Sequence, residues 1–193
     1  MGNDSASIAA ALICDDRIDG AAVVKRTLAR FGSGALTFAL KQRTRVALLR
    51  RGEQYRDASP ALLRLGIDVD AWPAPPAGLF VVEERTVYLR SRSPMTVAHE
   101  FGHALDCALG GGVYLSGIDP RIRRCFTAAK SFVTPYAATG IDEYFAEALR
   151  AFVEVNDPAS HWPRATRRRL RTLDPELFAC IEGLFTVEFA AAA

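Results

Sequence analysis

His99-Glu100-Phe101-Gly102-His103 sets two imidazoles one helical turn apart with a carboxylate between them, inside an apolar segment of helical pattern. At about 100° per residue, four positions return His103 to within roughly 40° of His99, so both rings can reach one metal ion. Glu100 points off that line, toward the space beside the ion, where a general base belongs. The chain has three histidines in all, and two of them fall in this pentapeptide. The competing reading is two ordinary surface or core histidines that happen to flank a glutamate. The spacing favours Zn2+.

A hydrolytic zinc site usually takes three protein ligands and keeps one position open, so a third ligand is needed, and carboxylates are the leading candidates. His161 precedes Trp162-Pro163 in a loop-like stretch and fits no ligand spacing. Asp106 follows His103 by three residues on the same helical face. A neighbour that near hydrogen-bonds a ligand or caps a turn rather than curling back onto the same ion, so its expected role is to support the ligands. Glu143 and Glu147 form an i, i+4 pair on a later, largely apolar helix. Burying both is costly unless the carboxylates have partners, which a metal and its histidines would supply. The alternative is a solvent-facing pair with Glu147 loosely matched to Arg150, worth about a few tenths of a kcal/mol.

His99 through Asp106, then Tyr136, then Glu143-Tyr144-Phe145-Ala146-Glu147-Ala148-Leu149-Arg150-Ala151-Phe152 resemble the catalytic domain of the anthrax-lethal-factor-like metallopeptidases, a pattern shared by the Pro-Pro endopeptidases. The resemblance runs from about Leu79 to Phe152. It implies an α+β, zincin-like fold of the gluzincin kind, a small β-sheet or hairpin packed on the active-site helix, with a mainly helical C-terminal half. It also implies Glu143 as the third zinc ligand, Tyr136 as an aid to catalysis, and Glu147 as the partner of a zinc-binding histidine. Leu149 stands where many relatives carry phenylalanine, a packing change away from the chemistry.

The implied activity is that of a zinc metalloendopeptidase acting on a protein or peptide. Zinc held by His99, His103 and Glu143 would activate a water and polarise a peptide carbonyl. Glu100 would take the water's proton and deliver it to the leaving amine. Tyr136, rather than being a plain core aromatic, would donate a hydrogen bond to the developing oxyanion. The strand 86–89 could pair with an extended substrate and place the scissile bond over the metal. Two other readings compete. A repressor-cleaving regulatory metallopeptidase usually carries another histidine or an L-L-H-like stretch after the motif, where this chain has Ala104-Leu105-Asp106. A catalytically inactive zinc-fold binding module would have lost the base or a ligand, yet Glu100, both histidines and Glu143 are all present.

Local signals place these residues on elements. Ser93-Pro94 gives an N-cap and a first-turn proline, so the metal helix is expected from there to Leu109, ended by Gly110-Gly111-Gly112. Two β-rich runs, 79–82 and 86–89, predict a hairpin just before it. Asp142 is the expected N-cap of a helix over 143–155, with Pro158 beyond its end. Upstream, an amphipathic helix is expected over 18–31, stopped by Gly32-Ser33-Gly34. Residues 35–51 read as helix then strand without a decisive period, and Ser59-Pro60 opens a short helix through Leu65 ended by Gly66. Trp72-Pro73-Ala74-Pro75-Pro76 reads as a connecting loop. Two further helices are expected over 164–173 and 175–185.

At 193 residues the chain is most simply one catalytic domain over 1–193. Within it lie an N-terminal helical part (1–66), the hairpin and metal helix (78–109) and a helical ligand-bearing part (113–187). Its 24 basic and 22 acidic residues give +2, too little to argue for a nucleic-acid partner. The arginine-rich stretches at 121–124 and 164–171 lack interleaved aromatics and read as solvated helix faces. Cys14, Cys107, Cys125 and Cys180 are scattered without a C-x-x-C pair, and Cys107 is expected to pack. The N-terminus lacks the basic region of a signal peptide, and Ala6 stands where myristoylation wants Ser or Thr. No apolar run reaches the roughly 20 residues of a membrane span. A monomer in the cytoplasm is the default expectation, with export by a non-classical route as the alternative.

Overall fold

The computed structural model describes residues 2–192; Met1 and Ala193, the ends of the expected domain, lie outside them. Helix α1 (Gly2–Leu12) is followed by α2 (Ala21–Leu28) and α3 (Gly32–Lys41), then strand β1 (Arg45–Leu48) and the short helices α4 (Tyr55–Ala58) and α5 (Pro60–Leu65). Strands β2 (Gly78–Val81) and β3 (Thr86–Leu89) precede the long helix α6 (Pro94–Leu109). The second half comprises α7 (Leu115–Ile118), α8 (Pro120–Ala128), α9 (Ile141–Phe152), α10 (Arg167–Leu173) and α11 (Pro175–Gly183). No helix among the described residues is long and apolar enough to cross a membrane.

The strands form one sheet in the order β1-β3-β2, with β1 parallel and β2 antiparallel to β3. The expected hairpin is present, with Arg85 in the left-handed region at its turn. Because β3 is flanked on both sides and all four of its residues are buried, it has no free edge to offer a peptide. The expectation that the strand 86–89 receives substrate is therefore wrong; β2 is the edge strand of the hairpin.

Helix α6 packs on β2, β3, α2 and most extensively on α9. Eleven of its residues are buried, so it runs through the middle of the core, with Phe101 fully buried and edge-on to Phe31 at 4.9 Å. One apolar cluster joins it to Leu28, Leu36, Val87, Phe145, Leu149 and Ile181, from the N-terminal helices to α11. Burial of this kind contributes about 25 cal/mol per Å² of apolar surface and fixes α6 in the core.

Several local expectations are met and several are corrected. α5 has the expected bounds, with Ser59 accepting a bond from Leu62 N–H and Gly66 left-handed at its end. α6 also has the expected bounds, but Ser93 makes no side-chain cap bond. Gly32 interrupts the helix run as expected, at φ +80°, yet Gly32-Ser33-Gly34 form the first turn of α3. Asp142 is not the cap of α9: Gly140 holds that position, Asp142 lies inside the first turn, and the helix ends at Phe152 rather than 155. The glycine's extended backbone turns the chain into the helix, leaving both acidic residues in the first turn, where the helix dipole favours them. α10 starts at Arg167, capped by Thr166, not at 164, and α11 passes into a π turn at Leu184. Residues 72–76 are loop, as expected.

Candidate active site

Glycines set the spacing of the site. A Cβ on Gly102 would lie 3.0 Å from Ala146 Cα and 3.2 Å from its Cβ, so the small pair lets α6 and α9 approach closely. A Cβ on Gly78 would lie 2.5 Å from Glu100 Cγ, so the bare glycine brings the edge strand down onto the carboxylate of Glu100. The outcome is that His99, Glu100 and His103 from α6 and Glu143 from α9 meet at one place.

His99 Nε2 lies 2.9 Å from Glu143 Oε2 and 3.1 Å from His103 Nε2, and His103 Nε2 lies 3.3 Å from the same carboxylate oxygen. A tetrahedral zinc with ligands at about 2.0–2.1 Å sets its donor atoms roughly 3.3 Å apart, so three donors of the right chemistry stand at close to the right separation. Glu143 Oε2 is buried and, despite these short contacts, has no hydrogen-bond partner among the described residues. Three potential ligand atoms therefore face one point. The set fits a divalent cation.

The surroundings prepare His99 for that role. Its Nδ1 lies 3.0 Å from Glu147 Oε1, and a carboxylate only accepts, so Nδ1 carries a proton and Nε2 is the nitrogen left to bind a metal. Glu147 is buried and gathers three further bonds: Arg150 Nε donates to Oε1 at 2.8 Å, Arg150 Nη2 to Oε2 at 2.7 Å, and Thr134 Oγ1 to Oε2 at 2.6 Å. The Arg150 pairing is thus a buried bidentate contact, not a loose surface one. Burial would raise the Glu147 pKa, but Arg150 and His99 pull it well below the usual carboxylate range. Burial opposes the charged form of His99 too, yet the facing carboxylates of Glu143 and Glu147 carry its pKa up to about 10 in the metal-free protein. Glu143 is held at about 2, its burial outweighed by both histidines.

Glu100 is almost fully buried, which pushes its carboxyl pKa up against the pull of His99 and His103. Tyr136 sits on a 3-10 turn (Tyr136–Ala138), half-exposed, and donates from its hydroxyl to Glu143 Oε1 at 3.2 Å. Asp106, on the same helix as His103, accepts from Ser116 with both oxygens, from N–H at 2.8 Å and from Oγ at 2.6 Å, and so fixes the chain after α6. His103 Nδ1 has no hydrogen-bond partner among the described residues.

A cavity of about 360 Å³ lies over His99 and Glu100, walled by Pro76, Ala77, Gly78, Met95, Thr96, Tyr136 and Trp162. Trp162 stands edge-on to Tyr136, ring centres 6.4 Å apart. A larger cavity of about 1190 Å³ lies elsewhere among arginines, two of which pair with Asp15 and Asp70. It holds none of the converging donors. Sequence reasoning missed Thr134, Trp162, Gly78 and the buried role of Arg150. Of these only Arg150 carried a readable signal, its i, i+3 spacing from Glu147.

No protein-family model matches the chain, and no curated protein sequence matches it. Among solved structures the chain is similar to a Pro-Pro endopeptidase from Paenibacillus alvei, with a TM-score of 0.64 and 21% identity over 92% of this chain and 99% of that one. That likeness shows the fold: α+β and zincin-like, with a small sheet against the helix that carries the two histidines.

Proposed function

We propose that this protein is a zinc-dependent endopeptidase, a single catalytic domain of the lethal-factor-like kind. The observation that carries the reading is the convergence of His99 Nε2, His103 Nε2 and Glu143 Oε2 within 3.3 Å of one another beside the buried Glu100. Zinc bound by these three would supply Lewis-acid polarisation of a peptide carbonyl and activation of a water. The Glu100 carboxylate, its proton affinity raised by burial, takes the proton of the attacking water and passes it to the leaving amine. The Tyr136 hydroxyl, held beside Glu143, donates to the oxyanion that develops on the scissile carbonyl. Glu147 keeps His99 in the tautomer that leaves Nε2 free. An extended peptide adds to the edge of β2, whose Gly78 lines the cavity, and so lies across Glu100. The cavity wall of Pro76, Ala77, Met95 and Trp162 suits an apolar side chain next to the cleaved bond.

The test is cleavage of a peptide library by the wild type with and without chelator, beside Glu100→Ala, together with metal analysis after zinc supplementation. Chelator-sensitive cleavage that Glu100→Ala abolishes is the expected result. A wild type that binds about one zinc yet cleaves nothing would favour a binding module, and one that takes up no zinc would end the proposal.

A further inference from the structure

Thr134 lies two residues before Tyr136 and thirteen before Glu147 and is fully buried. Its hydroxyl makes two bonds at once. It donates to Glu147 Oε2 at 2.6 Å, and it accepts from the N–H of Ala137, inside the turn that carries Tyr136, at 3.3 Å. Glu147 in turn holds His99 Nδ1. One hydroxyl therefore joins the tyrosine turn to the carboxylate that orients a metal-site histidine.

We propose that Thr134 is a positioning residue that couples the placement of Tyr136 to the orientation of His99; the coupling to rate rests on the endopeptidase reading, while the coupling to metal does not. The physical argument is one of satisfaction. Ala137 is fully buried, so its N–H has no water to fall back on, and losing the Thr134 oxygen orphans a buried donor. The turn then shifts to find another acceptor, and Tyr136 moves with it. At the other end Glu147 loses one of its four donors, and Oε2 keeps only Arg150. The carboxylate can then rotate toward Arg150 and loosen its hold on His99. A single missing hydroxyl disturbs both the oxyanion donor and the metal ligand, although Thr134 touches neither.

Thr134→Val removes the hydroxyl and keeps the branched shape, and Thr134→Ser returns the hydroxyl without the methyl. Zinc affinity is read by competition with a chromophoric chelator, and folding by thermal denaturation. The valine variant is expected to bind zinc several-fold more weakly, short of the roughly ten- to hundredfold loss usual for removing a direct partner of a metal ligand such as Glu147. The serine variant is expected to stay close to wild type. On a cleaved peptide, Thr134→Val lowers kcat with KM little changed, and that loss shrinks severalfold in a Tyr136→Phe background, because coupled residues are not additive. Should valine prevent folding, Thr134→Cys, a poor donor of similar size, takes its place. Unchanged zinc affinity in the hydroxyl-less variant overturns the proposal, as does a serine variant as impaired as valine, which would assign the effect to packing. An equal kcat loss in both tyrosine backgrounds overturns the link to Tyr136. If the wild type cleaves no peptide, the endopeptidase reading fails while the zinc measurement still decides the role of Thr134.

Discussion

Gly102 faces Ala146 so closely that a methyl group added at Gly102 would sit 3.0 Å from the Ala146 Cα and 3.1 Å from its carbonyl oxygen. Gly102 adjoins His103 on one helix, and Ala146 is three residues after Glu143 on the other, so this contact sets how near the carboxylate comes to the imidazoles. Gly102→Ala should gain about 0.5–1 kcal/mol of helix propensity and lose about 1–3 kcal/mol to overpacking. The net expectation is a modest fall in stability with a clear weakening of zinc affinity. Chelator competition on the purified variant checks it, and wild-type affinity would show that the helix spacing has slack.

Ligand and base are separable. Glu143→Gln should lose zinc, because it neutralises the one carboxylate among the described residues that meets both imidazoles. Glu100→Gln should keep zinc and lower kcat by about 10²–10⁴, the usual contribution of a general base. Metal content and single-turnover rates on the two variants distinguish the roles, and zinc loss in Glu100→Gln would make Glu100 part of the metal site instead.

Proton release should accompany metal uptake. In the metal-free protein His99 is raised from 6.5 to about 10 by the facing carboxylates. A folded pKa above the unfolded one stabilises the protein fully below about pH 6.5, and that contribution is lost as pH rises through about 10. Zinc needs the lone pair of Nε2, so binding near pH 7.5 displaces this proton. Zinc titrations in buffers of different ionisation enthalpy should report about one proton released per ion. A value of zero would mean His99 is already neutral.

Asp106 should give a pH signature of the same sign in a lower window. Its burial raises its pKa from 3.8 to about 6 despite two bonds from Ser116. A raised carboxyl pKa in the folded state means that stability falls as pH rises from about 4 to 6, at a cost that reaches about 3 kcal/mol above that range. Asp106→Asn can still accept from Ser116 and carries no charge. Its stability relative to wild type should therefore increase across this window in chemical denaturation, and a constant difference from pH 4 to 7 would contradict it.

Trp162 is half-exposed, edge-on to Tyr136 and part of the cavity wall. Trp162→Ala should raise KM for peptides with an apolar residue beside the cleaved bond and barely change thermal stability, since little of its surface packs in the core. A drop in kcat at constant KM would instead give Trp162 a role in holding Tyr136.

What could be read from the order of residues was local. The ends of α6, the Ser59 cap and Gly66 end of α5, and the two strands of the hairpin follow from caps, prolines and periods within a few positions of each other. The i, i+4 spacing of His99 and His103 depends on one helix only. The bounds of α1 have no such local marker, and the helix is held by its packing on α2 and α3. The parallel pairing of β1 with β3 makes β3 central and leaves β2 as the edge, a relation between segments about forty residues apart that no local period encodes.

The same division holds at the site. The sequence alone determined that two imidazoles and a carboxylate share one helix, and its likeness to a known pattern nominated Glu143, Tyr136 and Glu147. Only the tertiary structure decided that Glu143 Oε2 stands between the two rings, that Asp106 turns to Ser116, and that Thr134 ties Tyr136 to Glu147. The reason is physical. Helix spacing is a property of neighbouring residues, whereas a three-sided donor set depends on how closely two helices pack, and here a glycine against an alanine sets that distance.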